Sequence, residues 1–167
     1  LETNVKNILV PHVSNVSQAE KIASITKYSP QGLRGLSPYT RCHNYDHLDL
    51  KDSLINSNKN TFVGILVEGK KGLDNLSSIS KVEGIDMIYL GIYDIAQSLN
   101  LSGDINHQKC IKALEDAINT IHQSGKLAGT FTRTIKDAKK LKKLGMEFIA
   151  YLADSNACLL YTSPSPR

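Results

Sequence analysis

Two carboxylates stand at the ends of apolar runs: Glu68 closes Thr61-Phe-Val-Gly-Ile-Leu-Val-Glu68, and Asp94 closes Met87-Ile-Tyr-Leu-Gly-Ile-Tyr-Asp94. If both runs are strands of one parallel α/β sheet, their C-terminal ends share the face on which such sheets bind ligands. Two acidic side chains there suit a hard divalent cation such as Mg or Mn, which takes one or two carboxylates and leaves positions for water or substrate. A cation so held accepts the carboxylate and keto oxygens of a 2-oxo acid and, as a Lewis acid, stabilises an enolate. A plainer reading stands beside this one. Acidic residues often open helices, and Asp94 before Ile95 could be an N-cap.

Other polar side chains point less clearly to chemistry. His12 sits at a strand end and reads as packed beside the following loop rather than as a base. Arg34, Arg41, His43 and His47 fall in a long polar loop and read as solvated residues. His43 and His47 have the spacing of a helical metal pair, but Asn44 favours a loop and a third ligand is missing. Lys136, Lys139, Lys140, Lys142 and Lys143 read as the outer face of a helix whose Ile135, Ala138 and Leu141 turn inward. The chain has no Walker loop, no GxGxxG and no nucleophile elbow.

The elements that must position these residues follow from hydrophobic period. Short apolar runs alternate with helical stretches, the signature of βαβ units. Strands are expected at Asn7–Val13, Thr61–Val67, Met87–Gly91, Leu127–Phe131 and Gly145–Leu152. Helices are expected after Ser17, where Ser17 and Glu20 form a possible capping box with Ala19, Ile22, Ala23, Ile25 and Thr26 inward, and over Asp46–Lys59, Lys70–Lys81 and Ile95–Leu99. Two more are expected over His107–Ser124, with Gly125 as its C-cap, and Ile135–Leu144. Between the first helix and the second strand, Ser29 to Pro38 carries two prolines and two glycines, giving a long ordered loop. Five βα units fit either an open doubly wound sheet or part of a (β/α)8 barrel, and periodicity alone does not choose.

At 167 residues and 41% apolar, the chain supports one sizeable core. Its charge of +4 is dispersed and only 6% of residues are aromatic, which argues against nucleic-acid binding. Cys42, Cys110 and Cys158 are odd in number and widely spaced, as free thiols in a reducing compartment would be. No run reaches the length of a membrane span and no signal peptide opens the chain, so a cytoplasmic location is expected. Residues 158–167, ending Thr-Ser-Pro-Ser-Pro-Arg167, resemble a non-native adapter or vector-derived tail. They are set apart from residues 1–157.

A run of motifs then resembles a known family. Val10-Pro-His-Val13, Tyr28-Ser-Pro-Gln-Gly-Leu-Arg-Gly35, Val67-Glu68, Val82-Glu-Gly-Ile-Asp86, Leu90-Gly-Ile-Tyr-Asp-Ile95 and Ser124-Gly-Lys126, in that order, are similar to the HpcH/HpaI aldolase family. The resemblance implies about the last five βα units of a (β/α)8 TIM barrel, and a class II, metal-dependent carbon–carbon lyase working through a pyruvate enolate. It also implies that Glu68 and Asp94 bind Mg, Mn or Co, and that backbone N–H groups of Gly91, Ile92 and Tyr93 hold the pyruvate carboxylate. Ile92 stands where the family usually has Pro, Ala96 where Ser is frequent, Leu66 where Gln is common, and Gly69 where Thr or Ser is usual. The family's His-Asp acid/base pair and substrate Arg are expected upstream of Leu1, so the isolated chain is expected to be inactive. A citrate-lyase or malyl-CoA-lyase type of carbon–carbon lyase, or a non-catalytic truncated barrel, are the alternatives. The full-length protein is expected to take a small 2-oxo acid and to be a homo-oligomer, with neither nucleic acid nor membrane as partner.

Overall fold

Five parallel strands carry the core: β1 (Asn7–Val10), β2 (Phe62–Val67), β3 (Met87–Leu90), β4 (Leu127–Thr132) and β5 (Phe148–Tyr151). The computed structural model describes residues 1–47 and 49–162. Each strand pairs with its sequence neighbour, in the order β1-β2-β3-β4-β5. A doubly wound sheet reverses direction at a switch point, whereas consecutive order with every pair parallel is the winding of a (β/α)8 barrel. The sheet is therefore a partial barrel.

Strand alternation divides the residues between two faces. Val63, Ile65, Val67, Ile88, Leu90 and Ala128 are fully buried and join the core cluster with helical residues. The opposite face carries Leu9, Met87, Tyr89 and Phe148, and Leu9 and Phe148 are exposed. The main helices cover the first face: α1 (Val16–Thr26), α2 (Leu50–Asn60), α6 (Gln108–Gln123) and α7 (Ile135–Lys143). The best amphipathic stretch behaves as expected. Leu114, Ala117, Ile118 and Ile121 are buried along α6 together with Cys110, and Gly125 ends the helix with φ +70°.

Several boundaries differ from expectation. The first helix is capped by Asn15, whose side chain accepts from the Gln18 N–H, so Ser17 and Glu20 lie inside it and form no capping box. Ile25 is 53% exposed rather than inward, as is Ile135 in α7 at 59%. The helix expected over residues 46–59 starts at Leu50, capped by Asp49, and a 3-10 turn, Arg41–Asp46, precedes it. The stretch 70–81 is two short helices, α3 (Lys70–Asp74) and α4 (Leu76–Ile79), parted at Asn75. The Asn75 amide donates to the carbonyls of Lys71 and Ser14, so its side chain serves the neighbouring loop instead of a continuous helix. The first strand stops at Val10, before Pro11, and the fifth begins only at Phe148. Residues 154–162 form α8 (Asp154–Thr162); residues 163–167 of the tail lie outside the described residues.

Charged side chains pin the strand starts. The Lys27 ammonium donates to the carbonyls of Asn58 and Thr61, and Lys126 donates to those of Val82 and Ile85. Asp86 accepts from the Val63 N–H and Glu147 from the Ala128 N–H. Burial lowers the pKa of both lysines, against the raising influence of Asp86. Polar groups at this N-terminal end of a barrel serve stability.

Tyr89, 8% exposed and edge-on to Phe148, has its phenol pushed up to about 12 by burial. The unfolded chain ionises near 10, so this residue's contribution to stability is intact below pH 10 and is lost as pH climbs through 12. A native-state titration followed by tyrosinate absorbance should show a late component that Tyr89→Phe removes. Ionisation of Tyr89 near 10 in the folded protein would contradict this packing.

Candidate active site

The site begins with strand register. Val67 of β2 pairs with Leu90 of β3, and the Gly91 N–H donates to the Val67 carbonyl at 2.9 Å. The residues that follow, Glu68 and Gly91, are therefore neighbours on the C-terminal face. A Cβ on Gly91 would fall 2.6 Å from the Glu68 Cβ, closer than any side chain tolerates, so the glycine lets the two strand ends meet.

Glu68 is held firmly. Its Oε1 accepts the His12 backbone N–H at 3.1 Å and lies 2.6 Å from His12 Nδ1. The Glu68 side chain is 16% exposed, whereas that of His12 is 85% exposed. His12 therefore reaches over the carboxylate instead of packing beside the loop, and its backbone takes the left-handed conformation, φ +60°, to do so.

Asp94 is placed differently from the helix-cap alternative. The short helix α5 (Ile92–Ser98) starts two residues earlier, with Gly91 at the cap position and no side-chain cap bond. Asp94 is the third helical residue and is exposed, in the first turn, where the helix dipole favours a negative charge. The turn expected to hold a carboxylate divides as well. Gly91 has spent its N–H on Val67, which leaves the N–H groups of Ile92 and Tyr93 at the helix start, where the helix itself offers them no acceptor. The Ile92 side chain is buried in the core.

The loop residues separate into two sets. Arg41 and His47 are exposed, as expected. His43, in contrast, is 1% exposed, with one ring nitrogen 3.0 Å from the Tyr28 hydroxyl and the other 2.7 Å from Ser53 Oγ. The helical metal pair is thereby excluded. The Arg34 side chain is 6% exposed, pairs with Glu2 at 2.6 Å and lies over the Tyr28 ring at 4.4 Å. The contact with Glu2 reaches across 32 residues, which spacing does not reveal. The lysines of α7 are exposed as expected. Arg133, which follows β4 and lies over the Tyr93 ring at 5.8 Å, escaped motif reading. Its only sequence signal is its place directly after a strand's C-terminal end.

Among the described residues, no group of three or more His, Cys, Asp or Glu side chains is arranged to hold a metal. A pair of carboxylates from adjacent strand ends nevertheless matches the oxygen chemistry of Mg or Mn, which keep several waters and need only one or two protein carboxylates. Cys42, Cys110 and Cys158 are free thiols and lie apart from this pair in sequence.

Consecutive parallel βα units define a partial barrel, with Glu68 directly after β2 and Asp94 in the first turn of the helix that follows β3. The chain belongs to the HpcH/HpaI aldolase/citrate lyase family, which matches residues 1–159, a family of class II aldolases and lyases. It is 30% identical over 154 residues to the 5-keto-4-deoxy-D-glucarate aldolase of Shigella boydii, covering 92% of this chain and 59% of that one. The chain thus spans about three-fifths of the length of the curated relatives it matches. The HpcH/HpaI aldolase of Desulfitobacterium hafniense superposes with a TM-score of 0.87 at 21% identity, over 95% of this chain and 61% of that one. A CitE protein of Mycobacterium tuberculosis, solved with magnesium and acetoacetate, superposes with a TM-score of 0.55 at 13% identity, over 96% and 58%. No helix among the described residues is long and apolar enough to cross a membrane.

Gly91→Ala should cost about 1–3 kcal/mol of stability, the usual penalty for forcing a methyl group into a filled space, because neither backbone Cβ can rotate away. The urea midpoint measures it. An unchanged midpoint would mean that the strand ends do not approach so closely.

Proposed function

We propose that this chain supplies the metal-holding half of an aldolase that cleaves a 2-oxo acid to pyruvate through an enolate, with Glu68 and Asp94 as ligands to Mg, Mn or Co. One observation carries the reading: the two carboxylates follow adjacent parallel strands in register, with Gly91 packed against Glu68. Membership in the aldolase/citrate lyase family and the magnesium bound to the CitE relative support it.

Each residue has a distinct part. Glu68, held at the strand end, gives its Oε1 to His12, and in this reading its other oxygen serves the cation. Asp94, exposed on the first turn of α5, offers a carboxylate with little steric restriction. The N–H groups of Ile92 and Tyr93 lie at the positive end of that helix and can donate to the substrate carboxylate. A bound divalent cation supplies Lewis-acid stabilisation of the charge that develops on the keto oxygen. Proton transfer to and from the enolate falls to residues outside this chain, in the complete protein. His12 is occupied in positioning Glu68 and is a positioning residue in this scheme.

In the complete protein, Glu68→Ala or Asp94→Ala should lower metal-dependent pyruvate release by at least about a hundredfold, as removal of a charge-stabilising group does. Chelation with EDTA should do the same and added Mn should restore the native enzyme only. Undiminished activity in either variant would defeat the assignment.

We also propose that the complete protein self-associates through the loop after α1. Leu33 and Tyr39 are 82% and 72% exposed there, and Leu36 is 48% exposed, an apolar group in an otherwise ordered segment. Leu33→Asp should reduce the molar mass seen by light scattering. A mass that stays the same would place the contact elsewhere.

A further inference from the structure

Helix α2 runs against the usual pattern of a packed helix. Ser53, Asn56, Ser57 and Asn60 stand at the spacing that normally carries an inward apolar stripe, while Ile55 on the opposite side is 57% exposed. The polar stripe lines a cavity of about 380 Å³, to which the loop after α1, the 3-10 turn and the segment leading into β1 contribute Arg34, Arg41 and Lys6. No aspartate or glutamate lines it, and neither does any of the charged groups that pin the strand starts.

One wall of this cavity is fixed. The Arg34 side chain, 6% exposed, lies over the Tyr28 ring and donates to Glu2 at 2.6 Å and to Ser57 Oγ at 3.3 Å. Ser53, itself 9% exposed, has its hydroxyl 2.7 Å from His43 Nδ1. The remaining groups are uncommitted. Lys6 and Arg41 enter no ion pair among the described residues, and the side-chain amides of Asn56 and Asn60 have no partner among them either. Glu2 balances Arg34, so Lys6 and Arg41 are left as two uncompensated cations around a space with no acid of its own.

We propose that this cavity binds a sugar phosphate, with Lys6 and Arg41 on the phosphate group and the α2 stripe on the hydroxyls. A phosphate monoester carries close to two negative charges at neutral pH, which matches both cations, whereas a monocarboxylate leaves one unbalanced. The Asn56 and Asn60 amides each donate and accept, as recognition of a hydroxyl requires. Arg34, Ser53 and Ser57, locked by their own partners, give the pocket its shape. Lys6 precedes β1 and the lining residue Thr61 precedes β2, so the cavity lies away from the strand end that carries Glu68. The proposal goes beyond the aldolase reading and does not rest on it.

The test is calorimetry on the complete protein without divalent metal, using glucose 6-phosphate, inorganic phosphate and glucose as probes. Glucose 6-phosphate should bind at least about tenfold more tightly than inorganic phosphate, and glucose should not bind measurably. Arg41→Gln and Lys6→Gln should each weaken glucose 6-phosphate by about tenfold, the effect of losing a charged hydrogen-bond partner, with an unchanged urea midpoint showing that the variants are folded. Asn56→Ala should narrow the gap between glucose 6-phosphate and phosphate, and Lys142→Gln, on the exposed face of α7, should change nothing. Failure of glucose 6-phosphate to bind, an affinity no better than that of inorganic phosphate, or a loss in Lys142→Gln equal to that in Arg41→Gln overturns the proposal. Each of these outcomes leaves the Glu68–Asp94 reading untouched, since no metal takes part.

Discussion

The register between β2 and β3 is the constraint on which the ligand face depends. Val67 opposite Leu90 makes Glu68 and Gly91 the first residues beyond the ladder, and a slip of one position would turn the side chains of a whole strand to the other face. That register is secured from both sides. Val63, Ile65 and Val67 pack against the helices with Ile88 and Leu90, and Met87 and Tyr89 fill the opposite face. A hydrophobic alternation thus fixes, to within one residue, where two carboxylates emerge.

The two ends of the sheet divide labour. At the N-terminal end, Lys27, Lys126, Asp86 and Glu147 spend their charge on backbone carbonyl and N–H groups at strand starts. At the C-terminal end, Asp94 and Arg133 are exposed and carry no such backbone duty. Satisfied charge at one end and available charge at the other is the distribution expected when one face stabilises and the other binds. Glu68 stands between these cases, since His12 engages one oxygen through both backbone and ring.

Local pattern revealed most of the architecture, because strands and amphipathic helices are written in periods of two and 3.6 residues. The five strands and α6 were legible for that reason, and so was the place of Glu68 directly after the second strand, whereas Asp94 stands one helical turn beyond the third. Choices between similar local solutions were harder. Asn15 and Ser17 can both cap a helix, and the chain uses the former. The fates of His43 and Arg34 depend on Tyr28, Ser53 and Glu2, which only the folded loop brings close. Strand order, which separates a barrel from a doubly wound sheet, is likewise a property of three dimensions rather than of any segment.

Pairing each strand with its sequence neighbour has a kinetic side. Gly64 and Met87, the first pair of the β2–β3 ladder, are 23 residues apart, whereas Asn7 and Phe62 of the β1–β2 ladder are 55 apart. Closing the shorter loop costs about 0.8 kcal/mol less chain entropy, so the two strands that carry Glu68 and Asp94 meet more readily than those that bring His12 into place. The acidic corner of the molecule is thus assembled from nearly local contacts. Its histidine cover arrives through a longer-range closure, which places the two parts of one small site at different stages of contact order.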